Sequence, residues 1–218
     1  MSQKISQQSL HNRFEHLVKV ISSERFLQMR SLNNDLPFYI CEFRASEAVE
    51  MQRLQRQLIN TLGNLSLPCL GGRGVKVLEI NLYDLSIELL QAREGSTEGS
   101  RLWDEILTIE PEVDKDSLLE LLQNVLGIEE YLIPSIGERL RKTDFDVLFL
   151  SGIGEVFPYI RSHNVLNNLQ STAKDKPTVL FFPGEYRHSL ENGASLELFG
   201  LLHDDKYYRA FNIFETQA

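Results

Sequence analysis

Basic residues are scarce in this 218-residue chain, in which 22 lysines and arginines face 31 aspartates and glutamates for a formal net charge of −9. A nonspecific grip on nucleic-acid phosphates needs a basic face that displaces counterions, so direct binding of this kind is not expected. The nearest basic stripe runs from Arg139 to Lys142, and at a helix end such a stripe complements the helix dipole. Cysteine is nearly absent too. Cys41 and Cys69 form no CxxC and have no His/Cys spacing, which reads as two buried structural thiols in a reducing compartment. No apolar run approaches the roughly 20 residues that a membrane span needs, and no basic N-terminal stretch leads into an apolar segment. A cytoplasmic protein without membrane contact is expected.

Complete catalytic and cofactor motifs are also missing. The glycines at 71, 72 and 74 precede Val75 and Lys76, whereas a Walker A loop runs from a strand into a helix so that backbone N–H groups and the helix dipole meet the phosphates. No serine lies in a G-x-S-x-G elbow. His163, His188 and His203, with Asp204 and Asp205, lack short metal-ligand spacings, so surface or hydrogen-bonding roles are expected of them. The segment Ser151 to Glu155 follows a strand-like run as an anion site would, but its G-x-G has no third glycine and Glu155 would repel a phosphate. A structural turn is the preferred reading. If a small anion binds anywhere, Gly152, Gly154 and Arg161 are the candidates. No catalytic residue, metal ligand or cofactor is assigned.

What the chain does contain is a regular alternation of apolar patterns. Phe14, Leu17, Val18 and Ile21 fall at helical spacing within a helix predicted from Asn12 to Arg30, and Met51, Leu54, Leu58 and Leu62 line one face of another. Strands are predicted over 37–43, 75–82, 146–150, 178–182 and 207–214, and Leu85, Leu89 and Leu90 follow the second of them in a helix. Ile153, Val156, Phe157 and Ile160 predict a helix directly after the third strand, with Pro158 in its first turn and Leu166 and Leu169 extending it. The stretch from Gly95 to Ser100 is linker-like, flexible by composition, and marks an insertion boundary. From Asp104 to Glu130, nine acidic residues face the single Lys115 and interleave with Leu118, Leu121, Leu122 and Val125. This is an acidic helical region, either a solvated face or one that meets a basic partner.

Strands separated mainly by helices imply parallel pairing, because parallel neighbours need crossover connections. The expected fold is therefore a single three-layer α/β domain over residues 1–218. It has a mostly parallel five-stranded sheet, helices on both faces and a helical insertion at 100–142, and is Rossmann-like or degenerate P-loop-like without a Walker A motif. Aromatic and arginine side chains crowd 182–187 and 207–211. Such clusters suit protein interfaces and equally suit an ordinary sheet rim.

Four segments occur in order over about 65 residues: VLFLSGIGEVFPYIRSH at 147–163, FFPGEY at 181–186, LELFG at 196–200 and YYRAF at 207–211. Together they resemble the BrxB family of BREX bacteriophage-exclusion systems. The resemblance implies a role in anti-phage defence, beside a site-specific adenine methyltransferase, a large ATPase and a PglZ protein with an alkaline-phosphatase-like domain. It carries over no catalytic residues. A noncatalytic accessory or assembly factor is expected, contacting the PglZ-type protein through Phe182, Tyr186, Arg187, Tyr207, Tyr208 and Arg209. The alternative is a nucleotide-binding switch or weak nucleotidase using the turn from Gly152 to Gly154.

Overall fold

A computed structural model describes residues 8–30, 37–169, 171–189, 193–200, 202–204 and 210–218. Its centre is a set of five parallel strands, β1 (Phe38–Phe43), β2 (Val77–Asn81), β3 (Val147–Ser151), β4 (Thr178–Ser189) and, after two further strands, β7 (Phe211–Asn212). They lie in the order β2-β3-β4-β1-β7. Register aligns Ile80, Leu150, Leu180 and Ile40 in one row across the sheet. Because strand side chains alternate, this row faces one side, and Phe149, Val179 and Tyr39 face the other. Both faces are apolar, which is why the strands read as unbroken hydrophobic runs.

Two helices cover the Phe149 side. α1 (Leu10–Ile21) buries Leu17, Val20 and Ile21, and α3 (Ala48–Gly63) buries Met51, Leu54, Leu58 and Leu62 in the same cluster. The predicted first helix is cut short at Ile21, where Ser23 accepts from the backbone N–H of Phe26 and starts a separate turn, α2 (Glu24–Leu27). Serine competes with the helix for backbone groups and favours caps, a local effect that apolar periodicity does not reveal. Cys41 is wholly buried beneath these helices and Cys69 is half-buried. Burial pushes the Cys41 thiol up, away from the reactive thiolate.

The other side carries α4 (Leu82–Ala92), α5 (Leu102–Ile109), α6 (Lys115–Leu126), α7 (Ile133–Lys142) and α8 (Ser162–Leu169). Ile106, Leu122, Leu126, Leu132 and Ile136, all from the region between β2 and β3, share one apolar cluster with Leu148 and Leu150. Arg93 ties the end of α4 to this region, its guanidinium lying 3.9 Å above the Tyr131 ring and donating to the Val125 carbonyl. Layers of helix, sheet and helix thus match the predicted α/β class. Among the described residues no helix is long and apolar enough to cross a membrane.

Three details differ from expectation. Among the described residues the sheet has seven strands rather than five, because β5 (Gly193–Leu198) and β6 (Leu202–Asp204) form an antiparallel wing on the second half of β4. Pro183 and Gly184 look like a strand exit, yet β4 runs straight through them. Pro183 pairs with Phe43 and its carbonyl accepts from Phe199. A Cβ on Gly184 would lie 2.1 Å from the Glu197 carbonyl oxygen, so glycine admits the neighbouring strand here.

Second, no helix follows β3 directly. Residues 153–160 form two separate turns, closed by Val156 N–H to the Gly152 carbonyl and Ile160 N–H to the Val156 carbonyl, and α8 begins only at Ser162. Pro158 falls where a continuous helix would need its N–H. Ile153, Val156 and Ile160 are nevertheless buried, so their spacing reports the packed face and not the backbone form. The last predicted strand reduces to β7, followed by a 3-10 turn at Ile213–Glu215, while its portion at 207–209 lies outside the described residues.

Third, the linker-like stretch is an ordered loop wrapped around one carboxylate. Glu105 accepts from the backbone N–H of Ser96 at 2.8 Å and of Thr97 at 3.3 Å, and from the Ser100 hydroxyl at 2.5 Å. These donors, the Ser100 hydroxyl first, hold its carboxyl down to about 2. A depressed carboxylate stabilises the fold above the ordinary glutamate value of about 4.3, and that contribution is lost as pH falls toward about 2. Backbone amides of Ser96 and Thr97 are therefore expected to stay protected from hydrogen exchange at pH 5 and to lose protection selectively below about pH 3. Equal protection at both would show that Glu105 does not hold the loop.

Candidate functional site

Parallel α/β sheets bind ligands in the crevice outside the carboxyl ends of their strands. A crevice of about 580 Å³ lies there in this protein, where β1 ends at Phe43, β2 at Asn81 and β3 at Ser151, and where β4 passes Pro183. One wall comes from α3, which contributes Gln52, Gln55 and Arg56. Its polar lining carries three carboxylates, Glu79, Asp84 and Glu155, against one cation, Arg56. Gln55 donates to Glu79 at 2.7 Å, and Glu155 accepts from Gln52 at 3.5 Å. Burial raises the Glu79 carboxyl above its usual range, against the opposing pull of Arg56 and with support from the nearby charge of Asp84.

The glycines of the β3 corner are filled from within. Gly152 has φ +80°, and a Cβ there would lie 2.2 Å from Asn81 Oδ1 and 2.9 Å from the backbone nitrogens of Leu82 and Tyr83. Asn81 is the N-cap of α4, accepting from Tyr83 at 2.9 Å and Asp84 at 3.3 Å. The corner thus packs its bare backbone onto the α4 terminus. Gly154 packs likewise against Pro183 and the Phe199 ring, whose nearest atoms would sit 3.0 and 3.2 Å from an added Cβ. Both glycines border the crevice, whereas the exposed Arg161 at the start of α8 does not. The suggested anion set of Gly152, Gly154 and Arg161 thus does not line one crevice, the turns at 153–160 lying in the chain between the corner and the arginine.

The suggested contact residues also separate. Phe182 is wholly buried in the apolar cluster beneath α8. Tyr186 is nearly so, its hydroxyl donating to the Ala210 carbonyl at 2.6 Å and its N–H to Glu42 at 2.8 Å. Both side chains belong to the apolar cluster on the Ile40 side of the sheet, Phe182 beside β1 and Tyr186 beneath the wing. Arg187 pairs with Ser195 through the β4–β5 ladder, its side chain lying outside what the structure describes. Tyr207, Tyr208 and Arg209 fall outside the described residues altogether. His163 is buried on α8, and among the described residues no three His, Cys, Asp or Glu side chains converge as a metal site would require.

Sequence reasoning missed Gln55, Glu79 and Asn81; Gln55 reaches Glu79 only through the crossing of α3 over the sheet, whereas Asn81 lies beside Ser151 by the register of β2 on β3. Of these only Asn81 carried a local signal, an Asn between an apolar strand and a helix. Ser151 is buried with a hydroxyl that has no hydrogen-bond partner among the described residues.

Comparison with known proteins supplies the remaining observations. The family model described as "BREX protein BrxB" matches residues 78–213. A BREX protein BrxB of Bacillus cereus (strain H3081.97) is 28% identical over 209 residues, covering 94% of this chain and 98% of the relative. A second BREX protein BrxB, from Escherichia coli O9:H4 (strain HS), is 22% identical over 204 residues, covering 94% and 91%. No solved structure matches. The likeness thus extends well before the motifs at 147–211, through the helical region and most of the N-terminal part.

Proposed function

Since the chain belongs to the BrxB family and so is a BREX component, we propose that it is a noncatalytic, cytoplasmic assembly factor of an anti-phage defence system. It acts by binding other proteins of that system, the PglZ-type protein first among them. The observation that carries this reading is the occupation of the β3 corner. Where a nucleotide-binding fold leaves bare glycine backbone for a pyrophosphate, this chain seats its own Asn81 and α4 terminus against Gly152 and its own Phe199 against Gly154. Carboxylates at 79, 84 and 155 line the adjoining crevice and oppose a phosphate. Such a corner turns the chain.

The test is retention of operon neighbours. Tagged full-length protein, expressed with the other genes of its operon, is expected to bring the PglZ-type protein through affinity purification and gel filtration at moderate salt. Failure to retain any BREX component sinks the reading. A nucleotide-responsive role is the competing possibility, favoured by the size of the crevice, which lies within the ~300–1,000 Å³ of small-molecule sites. It requires ATP or GTP to raise the melting temperature, by an amount corresponding to about 2.7 kcal/mol at 100 times the dissociation constant.

A further inference from the structure

We infer that a second concavity, the apolar groove between α4, α5 and α6, docks a basic amphipathic helix of another protein. The inference rests on the assembly role proposed above and names the surface and the partner chemistry that role would use. Ile87 from α4, Trp103 and Leu107 from α5, Leu118 and Leu122 from α6, and Tyr159 from the turns after β3 line it. Its volume is about 190 Å³, below the ~300–1,000 Å³ of small-molecule sites and suited to a few inserted apolar side chains.

Around this groove the surface stays apolar where water would favour polar groups. Leu107, Tyr83 and Ile109 are 47%, 45% and 40% exposed, and all three belong to α4 or α5. Clustered exposed apolar residues with a tryptophan among them are the composition of interface anchors. The walls are helices with internally satisfied backbones, so an extended strand would find no main-chain partners. A helix presenting apolar residues at i, i+3, i+4 and i+7 fits such a groove.

Charge decides which helix. Asp84, Asp104, Glu110, Glu112 and Glu120 are exposed on α4, α5, α6 and the turn between the last two, and none makes an ion pair among the described residues. Other exposed carboxylates do find cations, as in Glu88 of α4 with Arg139, Glu138 with Lys142 and Asp144 with Lys76. From residue 104 to 130 the chain supplies one lysine. Cations that complement this rim would come from a partner. A second copy would bring the same acidic rim and be repelled, whereas a lysine- or arginine-bearing amphipathic helix satisfies both the rim and the groove.

The experiment titrates purified full-length chain with the PglZ-type protein of the same operon, at low and high salt, by calorimetry. Leu107→Glu places a charge on an exposed groove wall and is expected to weaken binding about 10-fold or more. The triple reversal Asp104→Lys, Glu110→Lys, Glu112→Lys is expected to weaken it comparably and to flatten its salt dependence. Both variants alter exposed positions, and unchanged thermal melts confirm that they fold. If the unaltered chain binds and both variants bind equally well, the groove assignment fails while the assembly role stands. If the unaltered chain binds neither that protein nor any other BREX component, both fail together. Loss of a self-associated form in Leu107→Glu would give the face to a second copy and overturn the proposal.

Discussion

Gly152→Ala is expected to lower the stability of the protein by about 2–3 kcal/mol in a buffer containing no nucleotide. Two costs combine. At φ +80° an L side chain pays the left-handed penalty of roughly 1–2 kcal/mol. The new methyl also lands 2.2 Å from Asn81 Oδ1, displacing the group that caps α4, and loss of such a cap typically costs about 1 kcal/mol. In a chain of this size the melting temperature moves roughly 2–4 °C for each kcal/mol, so differential scanning calorimetry reads the effect directly. A glycine kept only for the approach of a ligand behaves otherwise. Gly152→Ala would then lose no more than the left-handed penalty and differ chiefly in a nucleotide-induced shift, which would reverse the functional reading of the corner.

Phe149→Ala is expected to cost about 3–5 kcal/mol, the usual range for an aromatic removed from a fully enclosed site. Phe149 stands on β3, flanked by β2 and β4, and is covered by the helices of the α1–α3 layer. Its ring meets Phe181 edge to face at 5.1 Å, a geometry that adds to the buried area. The site has little room to collapse, because strands on both sides fix the backbone and the cavity would open against Val147 and Val179. Urea denaturation should show a lower midpoint with an unchanged slope. A loss below about 1 kcal/mol would mean that the layer relaxes into the space and that the packing here is loose.

The order of α and β elements was legible because buried parallel strands and amphipathic helices are written in different periods. Val147 to Leu150 and Thr178 to Phe182 could hardly be anything else. Errors arose where a single residue type carried two meanings. Pro183 and Gly184 end strands in most settings, but here Pro183 pairs with β1 and Gly184 admits the close approach of β5. The polar run from Gly95 to Ser100 has the composition of a flexible linker, and only Glu105, several residues away, converts it into an ordered cap. Aromatic and arginine residues near 182–187 looked like a surface, yet the alternation of β4 turns Phe182 and Tyr186 inward. The crevice was illegible for a different reason. Gln55 and Glu79 are 24 positions apart and meet only because α3 crosses from β1 to the far edge of the sheet.

One twelve-residue strand belongs to two ladders, since Thr178 to Pro183 align with β1 and Gly184 to Ser189 with β5. A one-residue slip of β4 itself would shift both ladders at once and carry Phe182 and Tyr186 to the opposite surface together. The antiparallel wing is therefore rooted in the middle of the parallel sheet, and a load applied to it reaches the centre of the sheet as a pull along β4.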